Sequence, residues 1–224
     1  MTLTRRSTLK IAGGAVAAGV IGYLGRRQFA STFVPDLAAQ PATATPTTPE
    51  DQRKAERSLG DPSAKVTVRE FFSLTCTHCA AFARGTMPEV EKDLIAPGKV
   101  RFVFHDFPLD QVALTASMVA RYLPPAQYYP FISALLANQD RWAFARCINS
   151  TDEIWKLAAL AGLGRSAFDQ AISDNDLRSW ILQQQQADQD RWKIDSTPSF
   201  VINDQKYAGE MSYEAFHKVL PGGV

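Results

Sequence analysis

Two cysteines three residues apart, Cys76 and Cys79, stand where a strand-like run ends and a helix-like run begins, and that position narrows the fold of the whole chain. Lys65 to Leu74 (KVTVREFFSL) has the β-branched and aromatic alternation of a strand, whereas Cys76 to Leu94 reads as a helix. Cysteines at i and i+3 across a helix start have their sulfurs within bonding reach. The unpaired N–H groups and the positive end of the helix dipole fall on Cys76. Cys76 is therefore the expected low-pKa nucleophile, and Cys79, a turn deeper, the resolving thiol. A disulfide whose released thiolate is this well held is easily reduced, so the chemistry expected is thiol–disulfide exchange.

The rest of the pattern is that of an α/β chain. Val66, Val68, Glu70, Phe72 and Leu74 share one face of the first strand, which puts Glu70 in an otherwise apolar row. Val100 to Phe107 (VRFVFHDF) is a second strand, and His105 and Asp106 near its end read as strand-end polar residues or as an acid–imidazole pair. From Asp110 to about Trp192 the apolar residues recur at helical spacing, and Ser150 with Glu153 has the spacing of a capping box. Strand character returns at Ser199 to Ile202 and Gln205 to Ala208, joined by an Asn203-Asp204 turn, before a last helix over Tyr213 to Leu220 that carries His217 on its surface. The order predicts a mixed central sheet interrupted by a helical insertion over about residues 110–192.

Residues 1–30 hold Arg5-Arg6 ahead of a weakly apolar, Gly/Ala-rich run from Ile11 to Gly25, the pattern of a twin-arginine-type export signal or an N-terminal anchor. Residues 31–58, rich in Pro, Thr and Ala, read as a linker, and 59–224 as one domain with a core of its own. A net charge of +1 without a basic stripe argues against a nucleic-acid partner, and nothing in the residues demands more than a monomer. Three cysteines allow one internal pair, which leaves Cys147 over; its helical surroundings predict a buried apolar filler.

CTHC after a strand, together with Thr197-Pro198 before a hairpin, resembles the DsbA family, a thioredoxin fold with a helical insertion. The stretches VREFFSLTCTHC (68–79), RFVFHDFPLD (101–110), DSTPSFVIN (195–203) and KYAGEMSYEAF (206–216) carry the resemblance. It implies that Cys76 attacks and leaves, that Cys79 resolves, and that His78 helps hold the thiolate. It further implies a cis bond at Pro198 facing the sulfurs, with the Thr197 backbone and Thr77 contributing to substrate binding. Glu70 matches the family's buried acid, placed to relay the proton of Cys79. The alternative for that carboxylate is an ion pair with a nearby base such as Lys193. Thr77 stands where the best-known oxidases have proline, and Thr197 is shared with the isomerase relatives.

The resemblance therefore implies a periplasmic thiol:disulfide oxidoreductase that introduces disulfides into reduced exported proteins and is reoxidised by a quinone-linked membrane partner. No cofactor beyond the cysteine pair is implied. A disulfide isomerase or reductase on the same fold is the alternative within this chemistry. Soft-metal binding by the two thiolates and the neighbouring imidazole is the alternative outside it.

Overall fold

The computed structural model describes residues 49–222. The predicted leader and most of the linker lie outside the described residues. A short helix α1 (Pro49–Lys54) leads into edge strand β1 (Arg57–Leu59). The sheet therefore starts inside the stretch expected to be linker; β1 is too short to show a period in sequence. Gly60 ends it at φ +89, where a Cβ would come within 2.4 Å of the Val100 carbonyl oxygen, so only glycine fits the turn.

The five strands lie in the order β1-β3-β2-β4-β5, with β2 (Val66–Phe72) central. It pairs in parallel with β3 (Val100–Asp106) and antiparallel with β4 (Ser199–Ile202). Strand β5 (Gln205–Ala208) completes a hairpin through Asn203 and Asp204, at φ 48 and 65. Both central turn residues are left-handed, which matches the twist of the flanking strands. The α/β fold with a mixed sheet is as the sequence predicts.

A parallel pair requires a crossover, supplied here by the segment after the cysteines. It is not one helix from Cys76 to Leu94. Helix α2 (Thr77–Gly85) is followed by α3 (Met87–Val90) and a π-helical turn, Glu91–Ile95. The break falls at Thr86, whose hydroxyl donates to the Met211 carbonyl at 2.7 Å, and Pro88, which has no N–H to continue the ladder, follows in the first turn of α3.

Between β3 and β4 run the helices of the insertion: α4 (Gln111–Tyr122), α5 (Pro125–Ala137), α6 (Gln139–Trp142), α7 (Ser150–Leu160), α8 (Arg165–Ser173) and α9 (Asn175–Trp192). Asp110 caps α4, and Asp174 caps α9. The cap of α7 is Asn149, which accepts from Thr151 and Asp152, rather than Ser150. Helix α10 (Tyr213–Val219) closes the chain over the sheet, with Phe216 against Phe82 and Phe200 and with His217 exposed.

His105 and Asp106 do not pair with each other. They are neighbours on a strand and point to opposite faces. His105 reaches Asp188 on α9 at 2.9 Å, while buried Asp106 accepts from Arg121 at 2.5 Å and from the Tyr128 hydroxyl at 3.1 Å. Cys147 is not a core filler either. It is exposed at φ 59, in the turn between α6 and α7.

Candidate active site

Strand β2 ends at buried Phe72, and past Leu74 the chain turns so that Cys76 becomes the N-cap of α2. Cys76 has φ −81 and ψ 121, an extended conformation that folds its sulfur back over the helix end. The backbone N–H of Cys79 donates to that sulfur at 3.3 Å. A capping thiolate here satisfies one of the orphan donors of the helix.

The two cysteines are free thiols of opposite character. The hydrogen bond donated by the Cys79 thiol is the largest influence on Cys76, joined by Thr197 and by the N–H groups of Cys79 and His78. Together they outweigh burial and bring its pKa down to about 5. Cys79, completely buried, is pushed well above its ordinary value by that burial, by the hydrogen bond it donates, and by the charges of Glu70 and Cys76. Glu70, also buried, is raised to about 8 by desolvation and then by the charge of Cys76. It forms no ion pair with Lys193, which ends α9 in a left-handed cap. Strand alternation is what aims this acid into the core.

Thr197-Pro198 is a cis peptide. The Cys76 thiol donates to the Thr197 carbonyl at 3.2 Å, and the Pro198 carbonyl accepts from Gly209 N–H at 2.8 Å. The Thr197 hydroxyl is buried without a hydrogen-bond partner in this dithiol state, free to turn its hydrogen toward a thiolate. Cys76, Cys79, Thr197, Pro198 and Glu70 are thus brought together. Thr77, at the first position of α2, is exposed.

The His78 ring is largely exposed and its Nδ1 meets Glu210 at 3.1 Å, while its backbone N–H is among the groups that lower the Cys76 pKa. Sequence spacing had not brought Glu210 in; it follows β5 and is 132 positions from His78. Two further contacts frame the loop. Thr75 donates to Asp110 at 2.7 Å, and buried Gln139 donates to the carbonyls of Leu74 and Cys76. No cluster of three or more histidine, cysteine or acidic residues arranged to hold a metal occurs among the described residues.

The thioredoxin family profile matches residues 52–221. A Rickettsia prowazekii protein named as a protein-disulfide oxidoreductase is 26% identical over 146 residues, 65% of this chain and 53% of that protein. The chain spans about half the length of the rickettsial relatives it matches. Disulfide bond formation protein D of Bacillus subtilis is 24% identical over 178 residues, covering 75% of this chain and 76% of the other. Among solved structures, Wolbachia pipientis alpha-DsbA1 superposes with a TM-score of 0.68 at 30% identity, over 73% of this chain and 88% of that one. A helix-capping CxxC beside a cis Thr-Pro, a matching family profile over nearly all described residues and this superposition converge: the chain belongs to the DsbA-like thioredoxin family.

Proposed function

We propose that this chain is a thiol:disulfide oxidoreductase that works as an oxidase, inserting disulfides into reduced, exported proteins in the periplasm. The observation that carries the reading is the split between the two thiols, one held near 5 and the other raised well above 9. In the oxidised protein a substrate thiolate attacks Cys76 Sγ, the Cys76–Cys79 bond breaks, and Cys79 leaves with the bond's electron pair. Cys79 is too buried to stay charged, so it takes a proton; protonated Glu70 is the acid placed to supply it. The substrate's second thiolate then attacks its own sulfur and expels Cys76, which departs as a stabilised thiolate. The substrate loses two electrons and the cysteine pair gains them. A leaving group of low pKa makes this direction favourable.

Thr77 and the Thr197 backbone flank the reacting sulfur and are assigned to substrate contact. Turnover needs an oxidant for the cysteine pair, assigned to a quinone-linked membrane partner, and the chemistry calls on no other cofactor. Arg5-Arg6 ahead of the weakly apolar Ile11–Gly25 run, the sequence pattern of a twin-arginine-type export signal, supports the periplasmic assignment.

Equilibration of the Cys147→Ser protein in glutathione buffers tests the reading. A reduction potential less negative than about −200 mV is expected, with reduced substrate oxidised faster than scrambled substrate is repaired. A potential near about −270 mV would make the protein a reductase.

A further inference from the structure

The helical insertion reaches the cysteine loop through one buried amide. Gln139 opens α6 and is only 5% exposed. Its Nε2 donates to the Leu74 carbonyl at 2.8 Å and to the Cys76 carbonyl at 2.9 Å. Only the nitrogen end of the amide can serve two carbonyl oxygens, so its orientation follows from its surroundings. The residue is presented from a stiff junction. Its own carbonyl accepts from Ala143 at 2.8 Å, and fully buried Trp142 donates to Leu135 at 2.7 Å.

Leu74 and Cys76 flank Thr75, so two carbonyls tied to one nitrogen fix the path of the loop. That path keeps Cys76 extended, with its sulfur under the Cys79 N–H. A loop released from this tie keeps the Thr75–Asp110 bond and the Cys76 N–H bond to the Ser73 carbonyl, but loses the one side chain that joins the Leu74 and Cys76 carbonyls, so the backbone at Cys76 gains freedom to turn. Its sulfur then swings out of line with the helix N–H groups, and the cap that holds the thiolate weakens.

We propose that Gln139 is a positioning residue for the cysteine pair, holding the 74–76 backbone so that the N–H groups of α2 stay aimed at the Cys76 sulfur. The insertion thereby sets the reactivity of cysteines that belong to the thioredoxin core. The role rests on the exchange reading for its purpose, but its test does not need exchange.

The test is iodoacetamide alkylation of Cys76 against pH in the reduced full chain carrying Cys147→Ser, where Cys79 is silent because it is buried and protonated. Gln139→Leu is expected to raise the alkylation midpoint by about one unit, roughly a tenfold smaller thiolate fraction below the midpoint. Asn138→Ala is the control for a merely structural effect. Its side chain bonds Ala134 at the same helix junction and does not touch the loop, so the midpoint should stay put even if the protein melts earlier. Should Gln139→Leu fail to fold, Gln139→Asn keeps the amide but is one methylene too short to reach both carbonyls, and the same rise is expected. An unchanged midpoint in the Gln139 variant, or an equal rise in Asn138→Ala, overturns the proposal. If the parent protein oxidises no dithiol yet the midpoints separate, the exchange reading falls and the positioning role stands.

Discussion

The Cys76 sulfur accepts from the backbone N–H of Cys79 at 3.3 Å, so the deeper cysteine supports the charge of the outer one through its main chain as well as its thiol. One sulfur is thereby prepared to leave as an anion and the other to remain protonated.

Replacement of either cysteine separates their roles. Cys76→Ser is expected to abolish exchange. Cys79→Ser leaves the nucleophile but removes the resolving thiol, so the mixed disulfides formed when the Cys76 thiolate attacks a substrate disulfide and displaces one of its sulfurs should accumulate and be visible by non-reducing electrophoresis and mass spectrometry. Accumulation in Cys76→Ser instead would invert the assignment.

The depressed Cys76 pKa makes the stability of the reduced form depend on pH. Its ordinary value is 9 and its folded value about 5. Between these values the unfolded dithiol chain binds a proton that the folded one does not. Reduced-state stability therefore rises with pH across this window and is lost as pH falls through about 5. The oxidised form has no thiol there to titrate. Denaturant unfolding at pH 4.5 and pH 7.5 should show the reduced form gaining on the oxidised form by about 1–2 kcal/mol, a figure discounted for solvent screening. A pH-independent gap between the two forms contradicts the assignment.

Glu70 has the opposite sign. Its pKa rises from 4.5 to about 8, so the folded state binds the extra proton between those values, and stability falls as pH increases through them. Glu70→Gln removes a carboxyl that resists ionisation and should stabilise the protein near pH 7 by a few kcal/mol, while slowing the step that protonates Cys79. The thermal midpoint and the rate of mixed-disulfide formation measure the two effects. A destabilised variant with unchanged kinetics would remove Glu70 from the mechanism.

Away from the cysteines, Asp106 is the carboxylate that Arg121 meets in the core, and Arg57 is buried beside it with two nitrogens unpartnered. Burial, and then the charge of Arg121, lower the pKa of Arg57. Asp106→Asn leaves two buried guanidinium groups without a counter-charge and should cost about 3–5 kcal/mol of stability. Urea unfolding measures it, and a loss below about 1 kcal/mol would show that the cluster is solvated.

Much of the site was legible because its parts are local. The CxxC at a strand-to-helix junction, the alternation that buries Glu70, and the left-handed Asn203-Asp204 turn are set by residues within a few positions of one another. A period of two or 3.6 records such neighbourhoods directly. The family pattern added the cis bond at Thr197-Pro198.

Partnerships made across the fold left no such trace. The His78 ring meets Glu210; His105 and Asp106 are adjacent in sequence yet serve opposite faces of β3. Gln139 reads as an ordinary polar residue at a helix start, and only packing brings its amide to carbonyls 63 and 65 positions away. Cys147 shows the converse, since helical surroundings predicted burial and the turn between α6 and α7 exposes it. The sequence by itself determined the reactive pair and the order of strands and helices, because those depend on local periodicity and backbone chemistry. Tertiary structure alone decided which polar groups orient that pair, because each contact joins residues far apart in sequence that only the packing of the insertion and of the C-terminal hairpin brings together.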